Sequence, residues 1–70
     1  MNQHIFSITF INVNGFILAK GTDNAIPRVG EKVRLQEGFN GVTFVVTDII
    51  HNIKPNGQAH HDVDIHVKPV

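Results

Sequence analysis

The amino-acid sequence predicts an all-β domain of five short strands joined mainly as hairpins. Three observations predict it. No window of about eleven residues places apolar side chains at i, i+3, i+4 and i+7 with helix formers between them. The chain is rich in Val, Ile, Phe and Thr, which suit a pleated, half-buried surface. Asn-Gly occurs three times, at Asn14-Gly15, Asn40-Gly41 and Asn56-Gly57, each between β-prone runs. Both residues tolerate the positive φ that a tight type I′ hairpin turn requires.

The strands follow in order. The first spans 3–13, with Phe6, Ile8 and Phe10 on a core face and Ile5, Ser7, Thr9, Ile11 and Val13 on the other. The second, 16–20, folds back across Asn14-Gly15, which sets Val13 opposite Phe16 and Ile11 opposite Leu18. Strong curling would wrap these four apolar residues into the core; left outside, they form an oligomer contact. Residues 21–30 read as a loop of turn formers, pinned by Ile26 and Val29. The third strand, 31–36, alternates Val33 and Leu35 inward with Lys32, Arg34 and Gln36 outward. The fourth, 42–53, is apolar on both faces as far as Asp48, which suggests a central, bent strand. The fifth starts at His60 and runs to Val67 or slightly beyond, where Pro69 ends the pairing.

Five strands with short turns close most simply as a small, highly twisted SH3-like barrel, one domain over residues 1–70. A partly open sheet completed by a second chain is the alternative closure. At 70 residues a single core is marginal, and without cysteine no disulfide or thiolate site can reinforce it. Six basic and six acidic residues leave a formal net charge of zero. That balance disfavours a dedicated nucleic-acid binder, whose affinity comes largely from phosphate neutralisation. Five histidines make the net charge sensitive to pH between about 5 and 8. The start lacks the pattern of a secretory leader, and no stretch approaches the roughly 18 apolar residues of a membrane helix. A cytoplasmic protein is expected.

The segments IPRVGEKVRL, FVVTDIIH and VDIHVKP, within about the last 45 residues, resemble small single-domain SH3-like β-barrel proteins of bacteria and their phages. The resemblance implies a barrel fold and a binding or accessory role. It carries no catalytic residue across.

In the fifth strand His60, Asp62, Asp64 and His66 share one face, and His61, Val63, Ile65 and Val67 share the other. If Asn56-Gly57 are the central turn residues, positions summing to 113 pair across the hairpin. His51 then faces Asp62, and Val46 faces Val67 on the core side. Asp48 falls opposite Ile65, and is expected near the rim or hydrogen-bonded to backbone. His51, His60, Asp62, Asp64 and His66 are thus the polar-face binding candidates. Their side chains stand roughly 7 Å apart along a strand, whereas a metal needs donors at about 2 Å. No metal and no cofactor is expected.

Other chemistry has less support. The lone serine, Ser7, has no motif around it, the glycines sit in turns, and no enzyme is expected. Arg28, Lys32, Arg34 and Phe39 are the candidates for nucleic acid, with Phe39 otherwise a plug over the barrel end. Ile11, Val13, Phe16 and Leu18 are the candidates for an oligomer interface. The expected role is a non-enzymatic binding module that works through protein contacts, a homo-oligomer of the phage or mobile-element accessory or inhibitor class. Nucleic-acid binding and His/Asp metal binding are the alternatives.

Overall fold

A computed structural model of the chain describes residues 5–35, 41–53 and 61–70. The described residues form five strands: β1 (Phe6–Ile11), β2 (Ile17–Asp23), β3 (Lys32–Arg34), β4 (Thr43–Asn52) and β5 (His61–Pro69). They make one sheet in the order β2-β1-β5-β4-β3, curled into a half-barrel consistent with a small SH3-like barrel. β1 and β5 run parallel, and the other pairs are antiparallel. β2 and β3 are the two edges, and no pairing joins them among the described residues.

The central strand is β5, between β1 and β4. Its alternation explains the position: Val63, Ile65 and Val67 lose all contact with solvent. They pack with Ile8, Phe44 and Val46, and with the half-buried Phe6, Phe10, Leu18, Ile26, Val33, Leu35 and Ile49. Full burial of one such aliphatic side chain contributes about 1.5–3 kcal/mol. The expected core faces of β1 and β3 are therefore the ones used. Ile26 pins the loop after β2, whereas Val29 stays exposed.

The β1–β2 connection is longer than a two-residue turn. The Gly15 N–H donates to the Asn12 carbonyl at 3.0 Å, and the Asn12 N–H to the Phe16 carbonyl at 2.9 Å. Asn12 Oδ1 also accepts the N–H groups of Asn14 and Phe16, at 2.9 and 3.0 Å. Val13, Asn14 and Gly15 form the loop, with Gly15 at φ +85° as its left-handed third residue. This added residue sets Ile11 against Ile17 instead of Leu18, and the register recovers at Phe10↔Ala19 through a bulge at Leu18. The bulge lets Leu18 reach the core from a strand position that alternation assigns to the other face.

β2 also runs further than its turn-forming residues suggest. Gly21, Thr22 and Asp23 pair with Ile8, Ser7 and Phe6, so ladder bonds override weak strand propensity there. The loop is left with residues 24–31. It ends in a turn in which Gly30, at φ +92°, occupies the third position and the Glu31 N–H donates to the Arg28 carbonyl.

The β4–β5 register changes part-way. Phe44↔Pro69, Val45↔Lys68 and Val46↔Val67 hold the expected sum, and then Thr47 is skipped. From there Asp48 pairs with His66, Ile49 with Ile65, Ile50 with Asp64, His51 with Val63 and Asn52 with Asp62. The expected His51–Asp62 pairing is thereby corrected. The physical reason is Asp48: an unbroken ladder would leave its carboxylate facing the core, where an unpaired charge is costly. One skipped residue turns Asp48 outward and Ile49 inward. Asp48 Oδ1 accepts the Ile49 N–H at 2.9 Å, the backbone bond expected of it. The Thr47 hydroxyl donates to the His66 carbonyl at 3.1 Å. β4, expected at the centre, lies one strand away from it. The turns at Asn40-Gly41 and Asn56-Gly57 involve residues outside the described ones.

Candidate functional site

Four surfaces carry the chemistry. The first is the outer face of the sheet. The registers set Thr22, Ser7, Asp62 and Asn52 in one row, and Lys20, Thr9, Asp64 and Ile50 in the next. A third row holds Ile11, His66 and Asp48. Asp62, Asp64 and His66 are half-buried. Apart from Ile50, the first two rows line a shallow groove of about 540 Å³. Asn52 Nδ2 donates to Asp64 Oδ2 at 3.2 Å, which fixes that carboxylate across the strand pair.

His51 does not belong to this face. The skipped Thr47 turns it to the Val63 side, where its Nδ1 lies 3.1 Å from His61 Nε2. One ring must donate and the other accept, so the contact requires at least one neutral imidazole. The two rings meet edge to face with centroids 5.0 Å apart, and His61 meets Phe6 at 5.3 Å. Three aromatic rings therefore close that end of the core. His60 lies outside the described residues. Among the described residues no cluster of three or more His, Asp or Glu is placed to hold a metal ion.

The second surface is basic. Lys32 and Arg34 are exposed on the outward side of β3, as the alternation predicts. Lys32 pairs with Val45, and Val45 pairs with Lys68. Lys68 thus joins them two strands away, about 10 Å across the sheet. Sequence reasoning missed Lys68, although the alternation Asp62, Asp64, His66 continues to it. Along β5 the outward side chains thus pass from Asp62 and Asp64 to Lys68, while Lys20 lies in the row of Asp64 and Asp48 in that of His66. Arg28 lies in the turn before β3, exposed, with its N–H donating to Glu31 Oε1 at 2.6 Å. Phe39 is outside the described residues.

The third surface is the tip of the β1–β2 hairpin. Val13 is 69% exposed, Phe16 67% and Ile17 57%. Of the four interface candidates, Val13 and Phe16 stand in solvent, Ile11 is half-buried on the outer face and Leu18 is packed inward. Ile17 takes the place of Leu18 in the patch, because the bulge exchanges their directions.

The fourth surface is a cleft of about 430 Å³ on the inner side, between the edges β2 and β3. Ile8, Phe10, Ile26 and Val33 form its walls, and Asp23 and Glu31 are the charged groups that line it.

No protein-family model matches the chain, no curated protein matches it, and no solved structure matches it. No helix among the described residues is long and apolar enough to cross a membrane.

Proposed function

We propose that this protein is a non-enzymatic binding module that works through protein–protein contacts made by the tip of its β1–β2 hairpin. The observation that carries the reading is the exposed patch of Val13, Phe16 and Ile17. An aromatic side chain flanked by aliphatic ones, held out on a rigid hairpin, is the composition of an interface anchor. Asn12 fixes the loop through its two side-chain bonds, so little order remains to be imposed on binding. Strand addition at the edges is a weaker route. β2 carries Lys20 and a bulge, and β3 has only three residues with Lys32 and Arg34, all of which discourage pairing. A second copy of the chain is the simplest partner. An accessory or inhibitor role in a phage or mobile element rests on the small size of the chain and on the resemblance, not on the chemistry of a site.

The test is a photo-crosslinking amino acid at position 16, in the purified protein and in the source cell, with position 20 as control. Covalent adducts specific to position 16, lost in Val13→Asp and Ile17→Asp, support the reading. Equal labelling at both positions argues against it.

A second reading has its own observation. Lys32, Arg34 and Lys68 converge on one face, which suits an anionic polymer such as single-stranded nucleic acid. Its mark is binding that weakens steeply with salt and is lost in Lys32→Glu and Lys68→Glu.

A further inference from the structure

The cleft between β2 and β3 lies where the half-barrel is left open, and nothing in the binding reading uses it. Its volume falls in the range of small-molecule sites, about 300–1,000 Å³. Its walls are the inward side chains Ile8, Phe10, Ile26 and Val33, which also pack against the core and so hold their positions.

Gly21 is the second observation. It sits in the interior of β2, opposite the buried Ile8, and therefore on the inner face. Glycine in a strand interior is destabilising relative to alanine, and usually answers a backbone demand or a close approach. Neither applies here. Gly21 is not among the glycines with positive φ, and no atom lies within 4 Å of where its Cβ would stand. A side chain at this position would extend into open space beside the apolar walls. Its absence leaves more of the cleft open.

The lining also has a definite charge. Asp23 and Glu31 are acidic, and among the described residues no Lys or Arg lines the cleft. Each carboxylate is anchored by one oxygen to backbone, Asp23 Oδ1 by the Asn24 N–H at 2.7 Å and Glu31 Oε1 by the Arg28 N–H. Each keeps a second oxygen to offer. Apolar walls under two anchored carboxylates suit a ligand with an apolar body and a single positive head.

We propose that this cleft binds small hydrophobic amines, with the apolar body against Phe10, Ile26 and Val33 and the ammonium group between Asp23 and Glu31. The experiment is an amide-resolved NMR titration with three probes that share a ring and a chain length: 2-phenylethylamine, 2-phenylethanol and phenylacetate. Saturable shifts are expected at Gly21, Ile26 and Val33, with the amine binding about fivefold more tightly than the alcohol. Phenylacetate binds most weakly. The double variant Asp23→Asn, Glu31→Gln removes the advantage of the amine and leaves the alcohol unchanged. Gly21→Val places added bulk in the cleft, with its Cβ clear of other atoms, and abolishes binding of all three, while its unfolding midpoint shows that the sheet is intact. The proposal is overturned if amine and acid bind alike or if no probe binds. It also falls if the shifts survive in Gly21→Val, or map instead to Ser7, Asp62 and Asp64 on the outer groove.

Discussion

The β1–β2 and β4–β5 hairpins of this sheet are built alike but bury different amounts of apolar surface. β1–β2 and β4–β5 are both antiparallel, and each contains one skipped position. In β4–β5 the irregularity at Thr47 expels Asp48 and draws Ile49 inward, and the hairpin then buries Phe44, Val46, Val63, Ile65 and Val67. In β1–β2 the irregularity at Leu18 draws one leucine inward and leaves Val13, Phe16 and Ile17 outside, with Ile8 as the one buried residue of the two strands. One device thus completes a core in one place and releases an apolar surface in the other. Stability is concentrated in β4–β5, and the proposed binding surface lies in β1–β2.

The comparison is broken most directly by truncating one residue in each hairpin. Ile65→Ala is expected to lose about 4 kcal/mol, because a wholly enclosed side chain leaves a cavity that its neighbours cannot fill. Ile17→Ala is expected to change stability by no more than about 0.5 kcal/mol. Urea denaturation of both variants checks this, and similar losses would erase the division between the hairpins.

A sharper test addresses the shifted register. Ile49→Asn places an amide against the core and is expected to cost about 3 kcal/mol. Ile50→Asn, at a side chain 44% exposed and beside Asp64, is expected to cost less than about 1 kcal/mol. An unbroken ladder would reverse the order of the two losses, so thermal denaturation of the pair decides where the strand skips.

Smaller losses than those at Ile65 and Ile49 are expected in the loop. Gly15→Ala forces a side chain into a left-handed backbone and is expected to cost about 1–2 kcal/mol. Asn12→Ala removes two backbone partners and costs about 1 kcal/mol. Both changes should speed amide exchange in β1–β2 and leave β4–β5 protected. Uniform acceleration across the sheet would instead join the two hairpins into one unit.

Much of this arrangement is legible in the residues. The alternation of β5 names its buried row, and β3 and the start of β1 reveal their faces in the same way. The places where faces change over are harder. Alternation has a period of two and carries no mark for a skipped residue. The single trace in β4 is that Asp48 falls opposite Ile65 in an unbroken ladder, a conflict that only the skip at Thr47 resolves. The candidate sites suffered accordingly: His51 moved to the other face, and Ile17 replaced Leu18 at the hairpin tip. Lys68 and the cleft depend on which strands are neighbours, and side-chain period is silent about neighbours. The parallel contact of β1 with β5 belongs to the same class. It joins strands far apart in sequence, and no turn residue announces it.

That parallel contact has a mechanical consequence. Tension that draws the leading end of β1 away from the trailing end of β5 acts along both strands, in opposite senses. The six residue pairs from Phe6↔His61 to Ile11↔His66 are then loaded together. They must slide as a set, whereas a hairpin pulled at its open end peels one pair at a time. A tether gripping the domain by these two strands meets its stiffest direction, and a pull across the sheet meets its most yielding one.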